Sequence, residues 1–190
     1  MDIITQEELK VNELRYMEMI REGRLFIHPT DTIYGIGCDA TNEKAVSCIR
    51  SLKGRFTRPF SIIAPSKDWC LQHCDLSAYA KSWLDRLPGP YTFILNLGGE
   101  HGLAEQTNLG LPTIGLRIPD HWIVSMVEKL GRPIITTSAN RTGEDYMTAI
   151  EDLDSAIKAK IAFAIYEGPK DGKPSTVIDL TSDKEKILRE

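Results

Sequence analysis

The sequence predicts an α/β fold with one open sheet of mixed strand direction, and an α+β arrangement of the same elements is the alternative. Helix-like and strand-like patterns follow one another along the chain without internal repeats. In the middle of the chain, strand patterns follow strand patterns directly, which a strict β-α-β alternation would not give. The chain has 190 residues, 42% of them hydrophobic and 26% charged. No Gly-, Ser- or Pro-rich linker divides it, so we expect a single domain over residues 1–190.

Five segments have the spacing and end signals of helices. The first opens with a capping box formed by Thr5 and Glu8, and Gly23 suits its C-terminal end. Apolar residues recur every third position in that segment and are expected to face the core: Val11, Leu14, Met17 and Ile20. The remaining helical segments are TNEKAVSCIRSL, capped by Thr41 or Asn42, then SAYAKSWLDRL, HWIVSMVEKLG and AIEDLDSAIKAK.

Eight short segments are rich in β-branched and aromatic residues and are bounded by turn residues, as strands are. In chain order they are RLFIH, FSIIAP, YTFILNL, TIGLRIP, PIITTS, IAFAIYEG, STVIDLT and EKILRE. Proline ends the first of them at Pro29, because its ring removes the backbone donor that a longer strand would need.

The charge balance and cysteine content exclude several classes of protein. The net charge is −4 and the pI about 5.6, which argues against a generally basic nucleic-acid-binding surface but not against a local basic patch. No apolar run is long enough to span a membrane, and the acidic N-terminus does not resemble a signal peptide, so we expect a cytoplasmic protein. Cys70, His73 and Cys74 lack the second ligand pair of a zinc site, so no metal site is predicted.

Four polar segments stand at strand ends or in loops, where open α/β sheets bind their ligands. They are PTDTIYGIG, KGRFTRP, GLRIPDH and TTSANRTG. The first combines hydroxyls, an aspartate and glycines in a way that a plain turn does not need. We therefore expect it to hold a small polar group.

The segment KGRFTRP concentrates positive charge. Lys53 and Arg55 follow a helix, where cations simply complement the helix dipole. Arg58 adds a third cation next to a proline, and charges so close repel one another unless an anion joins them. Phosphate is the anion that suits this arrangement best.

Two other polar features point to a small anionic ligand. TTSAN is either an Asx turn at a strand end or a set of hydrogen-bonding groups for phosphate or ribose. Arg117 interrupts an apolar strand, and a buried arginine usually faces a carboxylate. Walker A, GxGxxG and GxSxG motifs are absent. The residues alone thus indicate an anionic ligand, with a nucleotide as one candidate, and leave the choice open.

In this order, the polar segments resemble the YrdC-like family, the threonylcarbamoyl-AMP synthases of tRNA modification. The matching runs extend over residues 29–180: PTDTIYGIGCDA, KGRFTRPFSI, PGPYTFIL, TIGLRIPDH, TTSANRTG and STVIDL. The resemblance is to the short form with one YrdC-like domain. It implies a twisted open sheet with flanking helices around a large, basic, concave cavity.

The resemblance also implies a reaction. L-threonine, bicarbonate and ATP would give threonylcarbamoyl-AMP and pyrophosphate, with Mg²⁺ on the triphosphate, and downstream transferase proteins would modify adenosine 37 of tRNA. Catalytic roles would fall to Lys53 and Arg55 (the family KxR) and to Ser138 and Asn140 (its SxN). The resemblance assigns the threonine side to Thr32, Tyr34 and Arg117. The ATP side would comprise Lys53, Arg55, Arg58, Ser138, Asn140 and Ser175.

One position departs from the family pattern. Synthases often carry a histidine in the strand after the basic segment, where this chain has Ile63. The run PFSIIA is closer to relatives of the YciO type. The alternative to a synthase is therefore a YciO-type relative that binds nucleotide or double-stranded RNA with little or no synthase activity. A carbamoyl-transfer role, as in hydrogenase-maturation proteins, ranks third, because in those proteins the YrdC-like domain sits beside other domains.

Overall fold

A computed structural model describes the whole chain, residues 1–190. Ten strands are present: β1 (Asp2–Ile4), β2 (Leu25–His28), β3 (Gly35–Gly37), β4 (Ser61–Ile63), β5 (Tyr91–Asn96), β6 (Thr113–Arg117), β7 (Ile134–Ser138), β8 (Ile161–Ile165), β9 (Thr176–Asp179) and β10 (Lys186–Arg189). The α-helices are α1 (Gln6–Val11), α2 (Glu13–Arg21), α3 (Glu43–Lys53), α4 (Lys67–His73), α5 (Ala78–Trp83), α6 (Glu105–Asn108), α7 (Ile123–Leu130) and α8 (Ser155–Lys158). Two 3₁₀ turns, Leu84–Arg86 and Ile150–Asp152, complete the list.

The strands form one open sheet in the order β1-β8-β2-β3-β7-β4-β6-β5-β9-β10. The pairs β1–β8, β2–β8, β4–β6 and β5–β9 are parallel, and the other pairs are antiparallel. The predicted mixed, open α/β sheet is thereby confirmed. None of the helices is both long enough and apolar enough to cross a membrane.

Alternate residues of each strand point to opposite faces of the sheet. One face, which we call the α3 face, packs on α3, α4 and α5 through a large apolar cluster that includes Ile62, Phe93 and Ile135. On the other, the α7 face, helices α2 and α7 cover one half with a second cluster that includes Ile63 and Ile134. The second half of the α7 face holds a cavity.

The first helix predicted from the sequence is not continuous in the structure, and part of the face predicted to be buried is exposed. Asn12 divides it into α1 and α2, and the Asn12 side chain donates to the Glu8 carbonyl at 3.1 Å, in competition with the helix backbone. Val11 and Leu14 flank this break and are 83% and 85% exposed, whereas Met17 and Ile20 are buried as expected.

Four short elements were not expected from the sequence: β1, β3, α4 and α6. Strand β3 has one branched residue between two glycines and is a strand only because β2 and β7 pair with it on either side. The helix expected over AIEDLDSAIKAK shrinks to a 3₁₀ turn and the four-residue α8, which Asp154 caps through the Ala156 and Ile157 amides. Elements this short depend on their neighbours more than on their own propensity.

Candidate active site

The cavity on the α7 face has a volume of about 330 Å³ and an unusual charge distribution. Four arginines line it, and no carboxylate does, although the chain as a whole carries a net charge of −4. Hydroxyls supply most of the remaining polar lining. The arginines are Arg55, Arg58, Arg117 and Arg189, and the hydroxyl residues are Tyr34, Ser61, Thr92, Thr136, Thr137, Ser138, Tyr146 and Ser175. A cavity of this composition suits a ligand with several negative charges.

Two glycines keep the floor of the cavity open. A Cβ on Gly115 of β6 would lie 2.5 Å from the Ser61 hydroxyl on β4. A Cβ on Gly35 of β3 would lie 2.8 Å from the His28 ring and 3.3 Å from the Thr136 hydroxyl. A larger residue at either position would collide with the neighbouring Ser61 or His28 side chain unless that side chain moved.

Lys53, the last residue of α3, lies behind the cavity wall. Its Nζ donates to the Ser138 carbonyl at 2.6 Å and to the Asn140 carbonyl and amide oxygen at 2.6 and 3.0 Å. Three acceptors match the three donors of an ammonium group. Burial, together with the charge of Arg55, lowers the pKa of Lys53 to about 7. The turn after β7 covers Lys53 and leaves it 2% exposed, so the lysine that the resemblance assigns to the ATP side does not itself line the cavity.

Ser138 and Asn140 form the turn that Lys53 holds. The Ser138 hydroxyl donates to the Asn140 amide oxygen at 2.6 Å, and Asn140 Nδ2 donates to the Glu144 carbonyl at 2.5 Å. Ser138 lines the cavity, whereas Asn140 lies behind it with Lys53. The KxR and SxN segments, 83 residues or more apart in sequence, are therefore one bonded unit in the fold.

Arg55 projects into the cavity from the loop after α3. Its Nη2 donates to the Pro59 carbonyl at 2.8 Å, its guanidinium lies 5.3 Å from the Phe60 ring centroid, and its Nε has no partner. Burial and the charges of Arg50, Arg58 and Arg189 lower the pKa of Arg55. Such crowding of cations favours the arrival of an anion. Arg58 lies at the exposed rim of the same loop.

Arg50 supports this loop from below. Its guanidinium donates to the carbonyls of Arg55 and Arg58 at 2.5 and 3.0 Å, and to the Gln106 carbonyl on α6 at 2.5 Å. Since Arg50 is only 3% exposed, it is a structural cation and not part of a surface patch.

Arg117 of β6 is paired with the PTDT loop. Its Nη2 donates to Asp31 at 2.7 Å and to the Thr32 hydroxyl at 3.1 Å. The carboxylate partner expected for Arg117 is thus Asp31 of the protein itself. The backbone amide of Asp120 donates to the second carboxylate oxygen of Asp31 at 3.0 Å. Burial lowers the pKa of Arg117, while Asp31 opposes that shift. Arg117 lines the cavity, and its Nε is buried without a hydrogen-bond partner.

Tyr34 fastens the same loop to the segment after β8. Its hydroxyl donates to the Gly168 carbonyl at 2.6 Å and accepts from the Glu167 amide at 3.0 Å, and its ring stacks on Tyr166. Burial raises the pKa of Tyr34 to about 12. The ring, and not the hydroxyl, therefore remains to contact a ligand.

Sequence reasoning missed Arg189 of β10. Its guanidinium lines the cavity and donates to the Ser175 carbonyl at 2.8 Å, and the Ser175 hydroxyl lies 2.7 Å from that of Thr92. The signal that identified Arg117, an arginine among apolar strand residues, is present in KILR as well. Of the nine residues expected at the site, six line the cavity: Tyr34, Arg55, Arg58, Arg117, Ser138 and Ser175. Thr32, Lys53 and Asn140 hold lining residues in place from behind.

The model of one protein family, described by the words "Telomere recombination", matches residues 18–190 of the chain. The chain belongs to the Sua5/YciO/YrdC family. A Methanocaldococcus jannaschii protein, provisionally named a threonylcarbamoyl-AMP synthase, is 34% identical over 97% of this chain and 87% of its own length. The threonylcarbamoyl-AMP synthase of Vibrio campbellii is 29% identical over 92% of this chain and 96% of its own length.

Solved structures of the family have the same fold. P. abyssi Sua5 complexed with L-threonine superposes with a TM-score of 0.85 at 32% identity, over 99% of this chain and 56% of that one. E. coli YciO superposes with a TM-score of 0.82 at 26% identity, over 93% and 87% of the two chains. Both branches considered from the sequence, synthase-like and YciO-like, therefore share this sheet.

Ile63, the residue that departs from the family pattern, is fully buried under the helices of the α7 face. It does not line the cavity. The structure contains no group of three or more His, Cys, Asp or Glu residues that could hold a metal ion.

Proposed function

We propose that the chain, acting as one YrdC-like domain over residues 1–190, is an L-threonylcarbamoyladenylate synthase that makes threonylcarbamoyl-AMP and pyrophosphate from L-threonine, bicarbonate and ATP. The observation that carries the proposal is the cavity with four arginines and no carboxylate. ATP brings several negative charges and needs such a set of cations. The family relatives named as synthases support the same reaction.

We assign the two substrates to two parts of the cavity, which we call its ends. At one end, Arg55, Arg58 and Arg189 would bind the triphosphate, and Ser138 and Ser175 would donate hydroxyls to it. At the other end, the Arg117 guanidinium would take the threonine carboxylate, beside the wall made by the Tyr34 ring. The threonine amine adds to the bicarbonate carbon, and loss of water gives a carbamate. A carbamate oxygen then attacks the α-phosphorus of ATP, and pyrophosphate leaves.

Charge that develops on the phosphoryl oxygens is stabilised by cations already in place before the reaction. Lys53 and Asn140 hold Ser138 in position, since the Lys53 ammonium group donates its hydrogen bonds to the turn that carries Ser138. Mg²⁺ would arrive on the triphosphate as part of the substrate, because the cavity lining has no carboxylate to hold it.

The product is an activated acyl adenylate, so we propose that downstream transferase proteins pass the threonylcarbamoyl group to tRNA. The alternative of double-stranded RNA binding has less support in the structure. That alternative would use a basic cluster of Arg50, Lys53, Arg55, Arg58 and Arg141, of which Arg50 and Lys53 are buried and bonded to backbone carbonyls. Neither cation is left for an RNA phosphate.

The test is pyrophosphate release from ATP, with and without L-threonine and bicarbonate. Release that needs both co-substrates supports the synthase. No release from a protein that still binds ATP overturns it and leaves a YciO-type nucleotide binder. Salt-dependent binding to a double-stranded RNA would then test the alternative, since phosphate contacts release counterions.

A further inference from the structure

The segment between β8 and β9, residues 166–175, lies across the PTDT loop, and we call it the strap. A Cβ on Gly172 would overlap the Thr32 carbonyl oxygen, so the two backbones pack closely there. The strap ends at Ser175, which lines the cavity. The proposed reaction uses Ser175 alone of these residues.

The carboxylate of Glu167, near the start of the strap, has three donors around it. His121 Nε2 lies 3.0 Å from one oxygen, and Trp122 Nε1 donates to the other at 3.1 Å. Lys170 Nζ lies 2.5 Å from the first oxygen. Burial acts to raise the pKa of Glu167, but the hydrogen bonds from Lys170, His121 and Trp122 outweigh it and lower that pKa below its usual value. The carboxylate is therefore ionised at neutral pH.

His121 donates to this carboxylate without needing a positive charge. The backbone amide of Ile123 donates to His121 Nδ1 at 3.2 Å, so Nδ1 is an acceptor and Nε2 carries the proton. The indole nitrogen of Trp122 can only donate. Both contacts with the segment after β6 therefore depend on an acceptor at Glu167.

The backbone beside the Glu167 carboxylate holds Tyr34. The Glu167 amide donates to the Tyr34 hydroxyl at 3.0 Å, and that hydroxyl donates to the Gly168 carbonyl at 2.6 Å. The Tyr34 ring stacks on Tyr166 of the strap and lines the cavity. The place of this ring therefore depends on the place of the strap.

The segment after β6 also serves the amino-acid end. Its Asp120 amide donates to Asp31 at 3.0 Å, and Asp31 accepts from Arg117 at 2.7 Å. Glu167 thus joins the two segments that supply Arg117 and Tyr34. Its hydrogen bonds and ion pairs reach none of the arginines assigned to the triphosphate.

We propose that Glu167 is a positioning residue for the amino-acid end of the cavity: its carboxylate ties the strap to the segment after β6 and so fixes the Tyr34 ring beside Arg117. This inference rests on the proposed function. Glu167 lies outside the cavity lining and acts through Tyr34, not on the substrates. Its side chain is 28% exposed, so solvent limits the size of the effect.

The experiment measures the KM for L-threonine and the KM for ATP separately in the pyrophosphate-release assay. Glu167→Gln keeps the size of the side chain but removes its charge and turns a donor toward His121 or Trp122. The KM for threonine should rise about tenfold, while the KM for ATP stays within about twofold. Glu167→Asp keeps the charge and should limit the rise to about threefold. Glu128→Gln, at an exposed glutamate on α7, is the control and should keep both wild-type values.

A double-mutant cycle with Tyr34→Phe separates positioning from a general loss of stability. Tyr34→Phe keeps the ring but removes the hydroxyl through which the strap holds it. Once that link is absent, Glu167→Gln should raise the KM for threonine further by only about threefold or less. Full additivity, or an equal rise in both KM values, overturns the inference and leaves the synthase proposal intact.

Trp122→Phe is a second variant, which keeps an aromatic ring and removes the indole donor to Glu167. It should raise the KM for threonine about threefold, and it decides the question if Glu167→Gln does not fold. A folded Glu167→Gln protein with the wild-type KM for threonine overturns the inference alone. A wild-type protein that releases no pyrophosphate overturns the proposed function, and the inference with it.

Discussion

The two halves of the α7 face share strands β4 and β7 yet have opposite character. On β7, Ile134 lies under helix α7, whereas Thr136 and Ser138, on the same side of the strand, line the cavity. On β4, Ile63 and Ser61 differ in the same way. Positions only two residues apart on one strand thus lie in the core and in the cavity, because α2 and α7 cover only half of the sheet.

The covered half is lined by apolar side chains, and the open half is positively charged. Four arginines project into the cavity without a lining carboxylate, so the open half is destabilised by mutual repulsion until an anion binds. Substitutions in the open half should therefore change activity more than stability, and substitutions in the covered half should do the reverse.

The largest expected effect is that of Arg55→Ala on the open half. Loss of a cation aimed at the phosphoryl oxygens should lower kcat/KM for pyrophosphate release by about 100-fold or more. The Tm should change little or rise, because a crowded positive charge is removed. Steady-state kinetics and thermal unfolding measure the two effects.

Arg21→Ala is the matched control for Arg55→Ala, because it removes an exposed arginine paired with Glu18 on α2. Its kinetics should equal those of the wild-type protein. Wild-type activity in Arg55→Ala would contradict the assignment of the triphosphate to this end of the cavity.

The next effect compares two positions on one strand. Ile134→Thr puts a hydroxyl under α7 and should cost about 3 kcal/mol of unfolding free energy. Thr136→Val, two residues on, makes the opposite exchange on the cavity floor and should change stability by less than about 1 kcal/mol. Urea unfolding of both variants tests the comparison. Equal losses would show that the open half contributes to the core as much as the covered half does.

The sequence predicts most of the elements and the segments that carry the site, because periodicity and end signals are local. It does not predict which strands become neighbours. The sheet order β3-β7-β4-β6-β5-β9 brings Gly35, Ser138, Arg55 and Arg117 to one cavity, and no local pattern encodes that order. Strand β3 was missed for the same reason, since it is a strand only through its pairing with β2 and β7.

The smallest of the three effects concerns Lys53, at the boundary between site and core. Its assignment to the KxR segment was made from sequence, but its burial could not be foreseen, because the covering turn lies 85 residues away. Lys53→Met keeps the length and apolar stem of the side chain but removes the three donors to the Ser138–Asn140 turn. The Asn140 carbonyl should lose its partner at a cost of about 2 kcal/mol.

For a chain of this length, that cost lowers the Tm by roughly 6 °C. Because Ser138 is then no longer held in place, kcat should fall together with the Tm, whereas Arg55→Ala lowers activity alone. Lys44→Met, an exposed lysine on the same helix, is the control for loss of charge. Wild-type Tm with reduced activity in Lys53→Met would instead indicate that the ammonium group of the wild-type protein contacts phosphate directly. Lys53 would then belong to the open half.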